Sequence, residues 1–372
     1  MIYDVAIIGA GIAGASLAAE LAARASVLML EAEDRPGYHA TGRSAAFWHE
    51  TYGGPDVQPL SRASFDWLSG PPAETGAASF LAPRGAVTIA RAPDEAKLDA
   101  YAGEFAASGL AFERLDVEEL AAYCPGLKSE WSLGLREPDC CDIDVAGLHQ
   151  TYLRVVAKGG AVLQCRAELQ QASHGGDAWR IATRQGEYQA RILVNAAGAW
   201  ADEVARRAGV LPLGIAPFRR TMVQLRVAPP VPTSMPLIVD VDGNFYFKPD
   251  GGGGVWLSPH DEIPSEPCDA APDEMDVAIA IDRLEHVVDW QVRGVAHKWA
   301  GLRSFAPDRL PVYGFDTRRD GFFWFAGQGG FGIQTAPAAA KIGAHLILGA
   351  PADPMVLDID PSRYAPGRFI SG

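Results

Sequence analysis

Long apolar runs are missing from this chain. No ~18-residue stretch of uninterrupted apolar residues occurs, so no membrane-spanning helix is expected. Cysteine is scarce. The five present (Cys124, Cys140, Cys141, Cys165 and Cys268) form no CxxC pair, and the adjacent Cys140 and Cys141 cannot easily bridge each other. The chain opens without a basic leader or apolar signal core, so an odd thiol count predicts reduced cysteines and a cytoplasmic location. Basic residues are in deficit: 32 Lys and Arg against 46 Asp and Glu, a net charge of −14. Such a surface repels phosphate backbones, which argues against nucleic acid as a general partner. No repeat of fixed period is present. What remains is an ordinary globular composition, 48% apolar and 21% charged over 372 residues. At ~100–200 residues per domain, that length suits two domains.

Residues 3–9 (YDVAIIG) are a short apolar run, expected to be a strand buried on both faces. Residues 11–24 are Ala-rich and helix-compatible, and SVLMLE (26–31) is a second buried strand. This strand–helix–strand unit predicts a parallel sheet. Helices are expected over 93–108, over 144–158 with Asp144 as cap, over 272–289 and over 335–348. AVLQC (161–165) and ARILVNAAG (190–198) return to buried-strand chemistry. From 218 to 259 the pattern alternates with Asp-Gly and Gly-rich turns, which predicts antiparallel strands. Gly251–Gly254 is a hairpin tip rather than a phosphate loop, because no helix follows it. The helix containing KIGAHLIL (341–348) is expected to pack on its own sheet.

Gly9-Ala10-Gly11-Ile12-Ala13-Gly14 is a GxGxxG directly between the first strand and its helix. Gly9 permits the tight turn, Gly11 lets a pyrophosphate approach the backbone, and Gly14 lets helix and strand pack closely. The helix N-terminus adds free N–H groups and a partial positive charge. Glu31 ends the second strand, where a carboxylate can accept from an adenosine ribose. Ordered strand, glycines, helix, strand and acid make a specific dinucleotide signal. Two further segments favour FAD over NAD. One is the small, hydroxyl-bearing Thr41-Gly42-Arg43-Ser44-Ala45-Ala46, and the other is Gly329-Gly330-Phe331-Gly332-Ile333-Gln334 before the last helix. A cofactor touched near both ends of the chain must be long, and a helix N-terminus stabilises the negative charge of a reduced flavin. No second fingerprint for NAD is present.

Together with Ala197, Gly198 and Trp200 in NAAGAW (195–200), and with WAGLRSF (299–305), these segments resemble the D-amino-acid-oxidase-type FAD oxidoreductases. The resemblance runs from residue 3 to about 345 in the expected order. GYHATGRSAAFWHETYG (37–53), PLGIAPFRR (212–220) and FYFKPD (245–250) are similar to the D-amino-acid dehydrogenase branch, which includes arginine-oxidising members. The implied fold is α/β (α+β overall): a Rossmann-like FAD-binding domain with a parallel central sheet, interleaved with an antiparallel-sheet substrate-binding domain. The implied division is 1–79, 138–212 and 298–372 for FAD, and 80–137 and 213–297 for substrate. FAD would be non-covalent, because no cysteine lies in the C-terminal glycine segment, and no metal is expected. The implied activity is hydride transfer from the Cα of an amino acid to flavin N5. Arg303 would grip the substrate carboxylate in a planar fork, with Arg220 a second candidate. Tyr246 would add a phenolic donor, Tyr52 a lid aromatic and Gly330 a close backbone.

The residues themselves leave alternatives open. Arg219 and Arg220 are adjacent on a strand and face opposite ways, so only one points inward and the other is expected to be solvated. Tyr246 could be core packing, and His49 a loop histidine at the surface rather than a substrate contact. The arginine-oxidising relatives carry a histidine where Phe47 stands and a glutamate where Ala86 stands. Loss of that charge partner predicts that D-Arg and D-Lys are not preferred. Phe47, Trp48, Leu237 and Val239 point to a more apolar side-chain pocket. Electrons would leave to a quinone, a carrier or oxygen. A 2-hydroxy-acid dehydrogenase, a secondary-amine (glycine/sarcosine-type) oxidase, and an NAD enzyme or non-catalytic nucleotide binder are the competing readings.

Overall fold

The computed structural model describes residues 1–369. The last three residues of the expected 298–372 segment lie outside the described residues. A mixed eight-stranded sheet holds the strands Leu169–Gly175, Ala178–Thr183, Gly186–Asn195, Ile2–Ile8, Val27–Leu30 and Val162–Gln164 in that spatial order. Phe322–Ala326 pairs in parallel with the C-terminal end of Gly186–Asn195 and carries Val312–Phe315 beside it. The central strands are parallel, Ile2–Ile8 lying between Val27–Leu30 and Gly186–Asn195.

Period-two alternation explains why these strands read as unbroken apolar runs. Val5, Ile7, Val27, Met29, Phe323 and Phe325 enter one core, under the helices Ile12–Leu21, Val145–Lys158 and Ala336–Leu348. Ala6, Ile8, Leu28, Leu30, Phe322 and Trp324 enter the core on the opposite face, under the helix Ala201–Arg207. The Ala336–Leu348 helix thus spends its apolar face on its own sheet, as expected. Among the described residues no helix is long and apolar enough to cross a membrane.

A second, ten-stranded sheet is built chiefly from the middle of the chain. Ala216–Ala228 and Gln291–Phe305 are its long antiparallel pair, flanked by Val255–Ser258, Tyr246–Pro249, Leu237–Asp240, Ala86–Ala90 and Leu133–Glu137. One pair departs from the antiparallel expectation: Leu237–Asp240 runs parallel to Ala86–Ala90. The long intervening chain can return to the same end of the sheet, which a hairpin cannot do. Gln291–Phe305 runs unbroken across the 297/298 division and stays in this sheet to its last residue. The helix expected over 93–108 is shorter, Glu95–Glu104, with a 3₁₀ turn at each end. Asp144 caps Val145–Lys158 by accepting from the Gly147 N–H.

The two faces of the second sheet have different chemistry. Val223, Leu225, Phe245, Phe247, Val255 and Leu257 pack under the helix Glu274–Glu285. Cross-strand partners share a face, and the register pairs Phe218 with Arg303, Arg220 with Gly301 and Met222 with Trp299. Tyr246 pairs with Ser258 on the same side. That face looks toward the parallel sheet across a cavity.

Candidate active site

The cavity has a volume of about 490 Å³ and runs from Glu31 past the N-terminus of the first helix to Arg303. Gly9 has φ +104°. A Cβ there would sit 2.5 Å from the Ala196 carbonyl oxygen, and one on Gly14 would sit 2.0 Å from the Gly9 oxygen. Backbone atoms therefore occupy the space that side chains would take. The helix Ile12–Leu21 opens on Gly11, which has no side chain to cap it. Its free amides and the positive end of its dipole suit a pyrophosphate. Gly9, Gly11, Ile12 and Ala13 line the cavity, whereas Gly14 serves helix–strand packing. Glu31 is buried; its Oε2 accepts from Ala10 N–H at 2.8 Å and its Oε1 from Glu33 N–H at 3.0 Å. The carboxylate is thereby fixed at the cavity with lone pairs left for a ribose hydroxyl.

Thr41, Arg43, Ser44 and Ala45 form one wall, and Ala197, Gly198 and Trp200 another. Thr41 Oγ1 accepts from Ile12 N–H at 2.9 Å, which ties this wall to the helix mouth. Gly42 does not line the cavity; its N–H donates to Gly37 and shapes the turn. Arg43 also has a role that its position in sequence does not reveal. Its Nη1 donates to Ala270 O at 2.8 Å and Ala300 O at 3.1 Å, and its Nη2 pairs with Asp269. The side chain thus ties the cofactor wall to the second sheet. From the C-terminal segment, Gly329, Gly330, Gly332 and Ile333 line the cavity. Phe331 is buried behind them with Val57 and Phe305. Glycine cradle, uncapped helix, fixed carboxylate and elongated volume all fit FAD, which those residues would hold.

The other end of the cavity is made by side chains from the second sheet and from the segment after the first wall. Arg303 Nη1 donates to the Tyr52 hydroxyl at 2.5 Å. Burial opposes the Arg303 charge, but the phenols of Tyr52 and Tyr246, with Glu262 and Asp261, hold it above its ordinary range. Arg220 is buried and lies beside it. Its Nε donates to Asp261 O at 2.6 Å and its Nη2 to Glu262 Oε1 at 3.3 Å, while Nη1 has no partner among the described residues. Burial and then the Arg303 charge lower its pKa. Two guanidiniums with one orphaned N–H set are a receptor for an anion. Tyr246 OH donates to Met222 Sδ at 3.2 Å. A Cβ on Gly330 would stand 2.3 Å from the Tyr52 hydroxyl and 2.9 Å from Arg303, so glycine keeps the space between them open. Gly301, opposite Arg220, also lines the cavity, and a Cβ there would stand 3.5 Å from Arg43 Cβ.

A recess of about 20 Å³ adjoins this end, bounded by Ala46, Phe47, Tyr52, Tyr246, Arg303 and Gln334. Phe47 packs edge-on against both Tyr52 and Tyr246 at 5.7 Å. Ala86, Leu237 and Val239 line neither space; they pack behind Phe47 and Tyr246 as an apolar backing. Trp48 faces away, buried with its Nε1 donating to Ser61 O. His49 is not a surface histidine. It is 4% exposed, and its Nε2 meets Glu137 Oε1 at 2.7 Å. Arg219 is not solvated either. It is half-buried and pairs with Asp276 at 2.6 Å on the helix behind the sheet.

Sequence reasoning passed over His260, Asp261 and Glu262. His260 lies edge-on to Tyr246 at 5.5 Å, with its Nδ1 2.5 Å from Gly243 O. Burial, then the charges of Arg220 and Arg303, lower its pKa to about 3. It therefore adds no third positive charge. No motif marks these residues, because their roles come from the strand pairing that brings them beside Arg220. Glu137 was missed for the same reason.

A dinucleotide cradle joined to an arginine-bearing sheet fits a flavin-dependent oxidoreductase. The family model described as FAD dependent oxidoreductase matches residues 4–346, and the chain belongs to that family. It is 32% identical over 193 residues to glycine oxidase of Pseudomonas aeruginosa, covering 51% of this chain and 49% of that protein. Dimethylglycine dehydrogenase of mouse mitochondria is 26% identical, with 97% of this chain and 44% of that protein covered. The chain thus spans about half the length of these relatives. Glycine oxidase of Geobacillus kaustophilus is 26% identical over 93% of each chain. The crystal structure of glycine oxidase from that organism has a TM-score of 0.83 at 24% identity, covering 96% of this chain and 98% of the other.

Proposed function

We propose that this protein oxidises an α-amino acid, of D configuration and with a neutral or apolar side chain, to an imino acid that water converts to a 2-oxo acid and ammonia. FAD, when bound, supplies the hydride acceptor. The observation that carries the reading is the anion receptor: Arg303 with Tyr52, and the orphaned Nη1 of Arg220, at one end of the cofactor cavity. A planar carboxylate held there has its orientation fixed before the reaction, which is where most of the rate is gained. Tyr246 and Tyr52 border the carboxylate site, and Phe47 presents an apolar ring to the side chain. Phe47 and its backing by Ala86, Leu237 and Val239 offer no partner to a cationic side chain. The amine must be the neutral base for its Cα hydride to leave, so the rate rises with pH through the amine's pKa. A quinone, a protein carrier or oxygen would reoxidise the cofactor. The five unbridged cysteines support a reducing, cytoplasmic setting.

The second reading is a secondary amine of the glycine or sarcosine kind. It is supported by the names of the relatives, glycine oxidase and dimethylglycine dehydrogenase. A 2-hydroxy acid is less favoured. An alcohol needs a base, and the candidate His49 is held by Glu137 and lines neither cavity. The test is anaerobic mixing of the purified protein with D- and L-amino acids, N-methylated glycines and 2-hydroxy acids. Bleaching of the visible flavin band by neutral D-amino acids is the expected result. Silence toward every amine in the panel would sink the proposal.

A further inference from the structure

Behind Phe47 lies a buried polar cluster that the site described above does not use. Its centre is Glu137, 5% exposed, at the end of the strand Leu133–Glu137 and directly across from Ala86. Three side chains converge on its carboxylate. His49 Nε2 lies 2.7 Å from Oε1, Tyr101 OH 3.1 Å from Oε1, and Thr51 Oγ1 3.0 and 3.1 Å from the two oxygens. Thr51 Oγ1 is also 2.6 Å from Tyr101 OH. Such a network is costly to bury unless every member is satisfied, and here each finds a partner.

Two of these ligands, His49 and Thr51, flank the turn that delivers Tyr52. The Tyr52 N–H donates to His49 O at 3.0 Å. From the other side, Gln334 in the C-terminal glycine segment accepts from His49 N–H at 3.1 Å and donates to His49 O at 3.2 Å and Tyr52 O at 3.3 Å. Beyond Tyr52 the chain passes through Gly53 and Gly54, at φ +102° and +83°. The arm 49–52 is thus clasped between Glu137 on the substrate sheet and Gln334 beside the cofactor cavity, with Tyr52 reaching Arg303 from it.

We infer that Glu137 is a positioning residue for the Tyr52–Arg303 carboxylate grip: through His49 and Thr51 it fixes the arm from which Tyr52 reaches the guanidinium. The inference rests on the proposed reading of that grip. Glu137 lines neither the cavity nor the recess. Desolvation, reinforced by the Glu137 charge, holds the Tyr101 phenol well above its ordinary pKa, so it remains a donor to the cluster. Without the carboxylate, His49, Thr51 and Tyr101 lose their shared acceptor, and the arm keeps its backbone ties to Gln334 and the hold of Gln58 and Arg62 on Glu50.

The probe is 3-phenylpropanoate, a carboxylate with no α-amine to lose. Its affinity for the FAD-bound protein is read by calorimetry and by perturbation of the flavin spectrum, beside the melting temperature. Binding by wild type and its loss in Arg303→Ala establish the grip. If wild type does not bind the probe, the grip itself fails and the inference falls with it. Glu137→Ala should weaken the probe about tenfold, and Glu137→Gln, which keeps an acceptor oxygen, about threefold. Thr51→Val cuts the clasp from the arm side and should also weaken it about threefold. Ile181→Ala, a buried change in the far hairpin, should lower the melting temperature without moving the affinity. Wild-type affinity in Glu137→Ala with a lowered melting temperature would overturn the inference. If Glu137→Ala does not fold, wild-type affinity in both Glu137→Gln and Thr51→Val overturns it equally.

Discussion

At the mouth of the first helix, contacts come from backbone and from residues close together in the chain. Gly9, Gly11, Gly14, Glu31 and Thr41 span one strand–helix–strand unit and the segment that follows it. At the arginine end, Tyr52, Arg220, Tyr246 and Arg303 come from separate strands and segments, and the space between Tyr52 and Arg303 is kept clear by Gly330. The first end works because atoms are absent, so it is intolerant of any addition. The second works because side chains converge, so it is sensitive to orientation and to the residues that hold them.

The sharpest break is at the first end. Gly14→Val places side-chain atoms where Gly9 O already stands, 2.0 Å from a Cβ. We expect no soluble yellow protein, measured as flavin absorbance per polypeptide. Recovery of FAD at wild-type stoichiometry would show that helix and strand do not need their close approach. Next in size is Arg303→Ala. It should keep the flavin and lower kcat/KM by about a hundredfold, since a charge-assisted fork is lost. Unchanged turnover would remove Arg303 from the site.

Gly330→Ala tests whether the second end also depends on absent atoms. A methyl group 2.3 Å from the Tyr52 hydroxyl must displace Tyr52 or Arg303. A KM increase of about tenfold with full flavin content is expected. Tyr246→Phe removes one hydroxyl whose partner is a weak sulfur acceptor. A loss of about threefold in kcat/KM is expected, and a larger one would mean that the phenol meets the substrate more directly.

The smallest effect is on stability. The His260 pKa is depressed to about 3 by burial and by the two arginines. Between that value and the unfolded histidine value of ~6.5, the unfolded chain binds more protons, so stability falls as pH drops through this window. His260 has φ +55°, which asparagine tolerates. His260→Asn should therefore flatten the dependence of the melting temperature on pH between about 6.5 and about 3. An unchanged slope would mean that the loss comes from the carboxylates.

The cofactor end was legible in sequence because its signals are local. A glycine at φ +104°, an uncapped helix and an acid at a strand end all follow from neighbours along the chain. Period-two and Ala-rich patterns gave both sheets, and alternation placed Phe245 and Phe247 opposite Tyr246. The side-chain environment was less legible. His49 looked like loop surface, but Glu137, far along the chain, buries it. Arg219 looked solvated, but a helix that packs behind its strand supplies Asp276. Ala86, Leu237 and Val239 belong to the apolar region beside the recess, yet they stand one layer behind its wall.

Local pattern alone determined the dinucleotide cradle and the two kinds of sheet, because each depends on backbone geometry that a few residues dictate, and motif order carried the resemblance to the family and its cofactor. Only the tertiary structure decided which charges are neutralised and which remain open. Arg43 is tied to Ala270, Ala300 and Asp269, and Arg219 to Asp276, while Nη1 of Arg220 is left without a partner. The physical reason is that partnering depends on strand register and packing between segments tens to hundreds of residues apart, and no spacing along the chain encodes that proximity.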